Sequence, residues 1–121
     1  MTEAPKTKRY DLEERSFQFA KRVVIFCKIL PRTISNREYI KQVSRASASV
    51  GANYIEANEA LSRKDFVMRL KISRKEAKET AFWLRLLMET NDEKLAEEGS
   101  VCLAEAIALK KILSAILDKS Q

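Results

Sequence analysis

After Pro31 the chain runs to Gln121 without another proline and with only two glycines, Gly51 and Gly99. Turn-rich β architectures need both residues at their reversals, so a stretch this poor in breakers reads as long helices. Apolar residues recurring three and four positions apart agree. The first segment offers Leu12, Phe19, Val23, Phe26 and Leu30, with a second row of Phe17, Ala20, Val24 and Cys27. The second offers Ile40, Val43, Val50, Tyr54, Ala57 and Leu61, and the third Phe66, Leu70, Ala77, Leu84 and Leu87. The fourth offers Leu95, Cys102, Ala106, Leu109, Leu113 and Ile116.

The same start signal recurs four times. Asp11 to Glu14, Ser35 to Glu38, Ser62 to Asp65 and Thr90 to Glu93 fit or approximate a capping box at intervals of 24 to 28 residues. In such a box a short oxygen-bearing side chain accepts from the first-turn amides while an acid three residues later reaches back. The signals predict helices over about 12–30, 36–61, 63–89 and 91–119, forming a domain over 11–121 behind a flexible N-terminal segment, 1–10. Pro31 stops the first helix, and Gly99-Ser100 is expected to bend or interrupt the fourth. Connections this short make consecutive helices antiparallel. The expectation is a single all-α domain, an up-down-up-down four-helix bundle.

Histidine is absent, which removes catalytic triads, imidazole proton shuttles and Glu-x-x-His di-iron sites. Glu76 and Glu79 have the spacing of a carboxylate pair, but no ligand set accompanies them. Cys27 and Cys102 fall inside apolar patterns without metal or redox spacing and are expected to be buried thiols. No apolar run approaches the roughly 20 residues of a membrane span, and the polar start MTEAPKTKRY lacks a signal-peptide core. The expectation is a cytoplasmic, non-enzymatic protein with no cofactor, metal or membrane contact.

Alongside the second helix's apolar row runs another of Ala46, Ser49, Asn53, Glu56 and Ala60. Small residues there would let a neighbouring helix approach closely, which compensates for Gly51. Asn53 and Glu56 would then need buried partners, because an unpaired amide costs on the order of 2–7 kcal/mol. The third helix shows matching interruptions at Ser73, Glu76 and Thr80, with Arg69 and Arg74 in reach. A polar network of Ser49, Asn53, Glu56, Ser73 and Glu76 is therefore expected to set helix register. The competing reading leaves Asn53 and Glu56 facing water.

Together these stretches resemble a known family. "DLEERSFQFAKRVVIFCKILP", "SVGANYIEANEALSRKDFVMRLKISRKEAKETAFWLRLL" and "LKKILSAIL", covering about residues 11 to 117, are similar to the four-helix-bundle proteins encoded by intervening sequences in bacterial 23S rRNA genes. The motif Ser-Val-x-x-Asn-Ile-x-Glu-Gly is matched at Ser49, Val50, Asn53 and Glu56, while Tyr54 and Ala57 depart from it. The resemblance implies a ring-like homo-oligomer, commonly a pentamer, and no enzymatic activity. It extends to the accessory variability determinant protein of diversity-generating retroelements, a basic pentamer that binds a reverse transcriptase and nucleic acid.

Charge is unevenly spread. Residues 61–90 hold eight Lys/Arg against four acids, 8 − 4 = +4, and residues 91–121 hold four against six, 4 − 6 = −2, within a net +6. On a helical wheel Arg63, Lys64, Lys71, Arg74, Lys75, Lys78 and Arg85 fall within an arc of about 120° opposite the core row. Such a ridge has the form of a stripe that tracks phosphates, although a solvated outer face looks the same. A pentamer would repeat it around a ring with 5 × 6 = +30 formal charges. Phe82, Trp83 and Leu86 flank the third helix's core row, and Ile25 and Ile29 widen the first helix's apolar band. Subunit packing is the expected use of these residues, with base stacking by Trp83 or Phe82 as the competing one. The favoured reading is sequence-tolerant RNA or DNA binding. The alternatives are an adaptor docking an acidic or polymerase-like protein, and an intervening-sequence product with no specific ligand.

Overall fold

The computed structural model describes residues 7–120, with side chains from residue 11 onward. Among the described residues it is all-α, with no strand. The helices are α1 (Thr7–Lys28), α2 (Ile34–Asn58), α3 (Arg63–Glu89) and α4 (Ala96–Ser120), with a 3-10 turn at Glu93–Leu95 before α4. Of the N-terminal segment expected to be flexible, residues 1–6 lie outside the described residues and residues 7–10 form the first turn of α1.

Three start signals act differently from their reading. Asp11 lies inside α1, because nothing in Thr-Lys-Arg-Tyr breaks a helix. Ser35 lies inside α2, whose cap is Thr33, held extended and accepting through Oγ1 from the Asn36 amide at 3.1 Å. Ser62 caps α3 as its spacing indicates, accepting from the Asp65 amide at 3.0 Å. Thr90 instead closes α3, its hydroxyl donating to the Leu86 carbonyl at 2.7 Å, and Asp92 caps the 3-10 turn. At the end of α1, Arg32 donates to the carbonyls of Cys27 and Leu30, both at 2.9 Å, giving partners to two of the acceptors ahead of Pro31.

α4 is unbroken at Gly99. A Cβ there would meet Met88 Cγ at 2.5 Å and Phe26 Cζ at 3.1 Å, so this glycine supplies room for its neighbours, not a bend. Gly51 plays a milder version of the role, but toward α1: its Cβ would sit 3.1 Å from Ser16 Cβ. Gly51 thus gives room to α1, while the Ser73 hydroxyl reaching the Val50 carbonyl at 2.7 Å holds α2 close against α3 as well.

Each helix packs on two neighbours, α1 on α2 and α4, α3 on α2 and α4, with no diagonal contact among the described residues. Partner numbers fall along one helix as they rise along the next: Arg45 meets Glu76 while Asn53 meets Arg69, and Arg15 meets Glu105 while Arg22 meets Glu98. The centre is filled by Phe26, Leu70, Leu84, Leu87, Leu109, Leu113 and Leu117. Leu117 takes the inward place expected for Ile116, which is only partly buried. Leu61, expected in the core, is fully exposed because α2 ends at Asn58 and leaves it in the connection. Phe17 and Val24 are exposed too. Cys27 and Cys102 are buried free thiols; burial pushes both up, Cys102 to about 11.

A partly buried amide pair ties one end together. Asn36, 2% exposed, donates from Nδ2 to the Pro31 carbonyl and to Asn91 Oδ1, both at 2.8 Å. Asn91 Nδ2 returns a bond to Asn36 Oδ1 at 3.0 Å and another to the Leu87 carbonyl at 2.8 Å. Removing either partner strands the other, so Asn36→Ala should cost about 2–3 kcal/mol in urea unfolding. Asn36→Ala with Asn91→Ala should cost clearly less than the sum of the singles.

Candidate functional site

α3 carries its own partition between inside and outside. Leu70, Ser73, Glu76, Ala77, Thr80, Leu84 and Leu87 are buried. Lys64, Lys71, Lys75 and Lys78 are exposed, and none forms an ion pair of 4.0 Å or less among the described residues. At about 100° per residue these four share an arc of about 60°.

The three arginines expected in the same ridge behave differently. Arg63 donates to the Ser120 carbonyl at the C-terminal end of α4, where a cation is favoured by the helix dipole. Arg74 is half-buried and lies 3.5 Å from Ser114 Oγ of α4. Arg85 pairs with Glu89 at 3.4 Å, one turn on. The free charge of the ridge is therefore lysine charge. α4 adds to it a surface the sequence reading missed: Lys110 lies one turn before Ser114, on the flank toward α3, with exposed Lys111 beside it. The cue in the sequence is the Lys-Lys pair itself.

Two of the four acids of α3 turn the other way, while Glu89 pairs with Arg85. Glu76, 6% exposed, and Glu79 both face Arg45 of α2, at 3.4 and 3.3 Å. This is the expected polar network in altered form. Ser73 Oγ donates to the Val50 carbonyl at 2.7 Å, and Thr80 Oγ1 to the Glu76 carbonyl at 2.8 Å. Asn53 accepts from Arg69 at 3.2 Å and donates to the backbone carbonyl of Ser49 at 3.0 Å. Glu56 does not join. It is exposed, because three residues beyond Asn53 the helix has turned about 60° further from the core. Arg45, absent from the sequence reading, is the partner that Glu76 needed.

Of the three residues expected at a subunit contact, Phe82 is 60% exposed, while Trp83 and Leu86 are half-buried. Trp83 is engaged within the chain. Tyr39 of α2 stacks on it at 5.8 Å and 27° between planes, and Phe82 meets it edge-on at 5.0 Å and 80°. Its Nε1 is buried without a hydrogen-bond partner. The larger exposed apolar surface lies on α1, at Phe17, Val24, Ile25 and Ile29. Ile25 also borders an open groove between α1 and α4 whose other wall includes Val101 and Ala104.

Among the described residues no cluster of Cys, Asp and Glu could hold a metal ion, and no helix is long and apolar enough to cross a membrane.

Residues 8–115 match the family model for the 23S rRNA-intervening sequence protein. A crystal structure of a protein of unknown function from the S23 ribosomal protein family of Bacteroides thetaiotaomicron is 33% identical. It covers 93% of this chain and 99% of its own, with a TM-score of 0.79. No curated protein matches.

The α2–α3 network yields a stability prediction. Arg45→Ala leaves the Glu76 carboxylate buried without its cation and should cost about 1–2 kcal/mol, a modest figure because Arg45 is itself half in water. Adding Glu76→Gln should recover more than half of that loss in a double-mutant cycle read by urea unfolding.

Proposed function

Taking as premise that this chain belongs to the 23S rRNA-intervening sequence protein family, we propose that it is a non-enzymatic helical-bundle protein whose α3 lysine face binds nucleic acid through the phosphate backbone. The observation that supports this reading is the segregation within α3. Glu76 and Glu79 turn to Arg45, Glu89 is taken by Arg85, and Lys64, Lys71, Lys75 and Lys78 are left on the opposite surface without an ion-pair partner among the described residues. Like charges one turn apart on a helix repel and weaken it slightly. A polyanion laid along the row removes that repulsion and releases its own counterions. Lysine is a point charge without the arginine fork that reads guanine edges, so the binding is tolerant of sequence.

We further propose that the bundle is antiparallel, up-down-up-down, and that copies assemble as a ring-like homo-oligomer in the cytoplasm. The opposed numbering of the interhelical pairs supports the first point, and the exposed apolar residues of α1 support the second. A ring multiplies weak lysine rows into one strong surface. An acidic protein, including a polymerase-like partner, would suit the same cations, and salt dependence with defined nucleic acid separates it from this proposal.

Filter binding across a salt series should give a log-log slope of about −3 to −4 per lysine row on duplex DNA. Lys75→Ala should reduce that slope by about 1, and Lys71→Glu/Lys75→Glu/Lys78→Glu should abolish binding while leaving the subunit number unchanged. No affinity at low salt for RNA or DNA, with the assembly intact, would contradict the reading.

A further inference from the structure

Phe82 lies in the same arc of α3 as the free lysines, one helical turn or about 6 Å beyond Lys78. It is 60% exposed. From Lys64 to Phe82 the row spans about 27 Å at 1.5 Å per residue, cationic for most of its length and aromatic at its end. Granting the nucleic-acid reading of this face, on which the inference rests, we infer that the α3 row takes single-stranded nucleic acid, with an unpaired base stacked on the Phe82 ring.

The ring is held from within the chain. Trp83 meets it edge-on at 5.0 Å and is itself fixed by the Tyr39 stack from α2, so the platform is preorganised and little side-chain freedom is lost on stacking. A base placed there brings its phosphate within reach of the Lys78 ammonium, and Lys75 and Lys71 follow at about 10 and 16 Å from Phe82 along the axis. A duplex could satisfy the lysines but not the phenyl group, because its base faces are already stacked on one another. Every unpaired base has a free π-face, so the site discriminates strandedness and tolerates sequence.

A subunit contact centred on Phe82 fits the surroundings less well. It would have to desolvate Lys78 and Lys75 on each copy, and the one carboxylate of α3 in the same arc, Glu89, is already paired with Arg85. One phenyl group is also far from the roughly 800 Å² per partner that a stable interface buries. The wider apolar surface of α1 is better suited to that purpose.

Fluorescence anisotropy with an unstructured oligoadenylate and a duplex of equal length tests the inference. Phe82→Leu should weaken binding of the single strand by about five- to a hundredfold, with duplex binding changed less than twofold. Phe82→Trp should retain the single-strand affinity. Unchanged single-strand affinity in Phe82→Leu overturns the stacking site while leaving the lysine face standing. An altered subunit number in Phe82→Leu, read by light scattering, overturns it in favour of a subunit contact. Failure of the unmutated protein to bind either probe overturns the nucleic-acid reading itself.

Discussion

Leu70, Ala77, Leu84 and Leu87 leave water together, and because 3.6 residues complete a turn, their burial fixes where every other side chain of α3 points. Each buried leucine contributes about 1.5–3 kcal/mol. Exposed ion pairs such as Arg85–Glu89 contribute at most about 1. No rotation of α3 that brought its lysines toward acids could repay the loss of three leucines from the core. The cationic row is thus a consequence of packing, kept in place by the strongest term in the fold.

The seam between α2 and α3 sets the rest. Ser73 reaching the Val50 carbonyl and Arg45 gathering Glu76 and Glu79 define one register between the helices, since a shift by one turn would bury these groups unpaired. The same seam decides the surface chemistry. By drawing two carboxylates toward α2, it leaves Glu89, already paired with Arg85, as the one acid of α3 on the side of the lysines. The tertiary structure in this way separates charges that lie only a few residues apart in sequence.

Much of this was legible before any coordinates. The span of α3, its Ser62 cap, its inward leucines and its outward lysines all follow from local periodicity. What escaped the sequence depended on distance in the chain. Asn36 and Asn91 are ordinary amides until folding brings them face to face. Arg45 looked like one of many surface cations, although it serves Glu76 thirty-one residues away. Glu56 belongs to a three- and four-residue row that drifts off the core face, so spacing alone places it nearer the core than it lies. The arginines of the ridge resembled its lysines in sequence. The α4 terminus and Ser114 arriving beside Arg63 and Arg74 distinguish two of them, and Glu89 one turn on distinguishes Arg85.

Lysine-resolved chemical labelling, read by mass spectrometry with and without added RNA, addresses the central claim most directly. In the free protein Lys64, Lys71, Lys75 and Lys78 should react as fast as Lys21 and Lys28 of α1, and RNA should then slow the four on α3 selectively. Slow labelling of the α3 lysines in the free protein, or equal rates with and without RNA, would contradict the account.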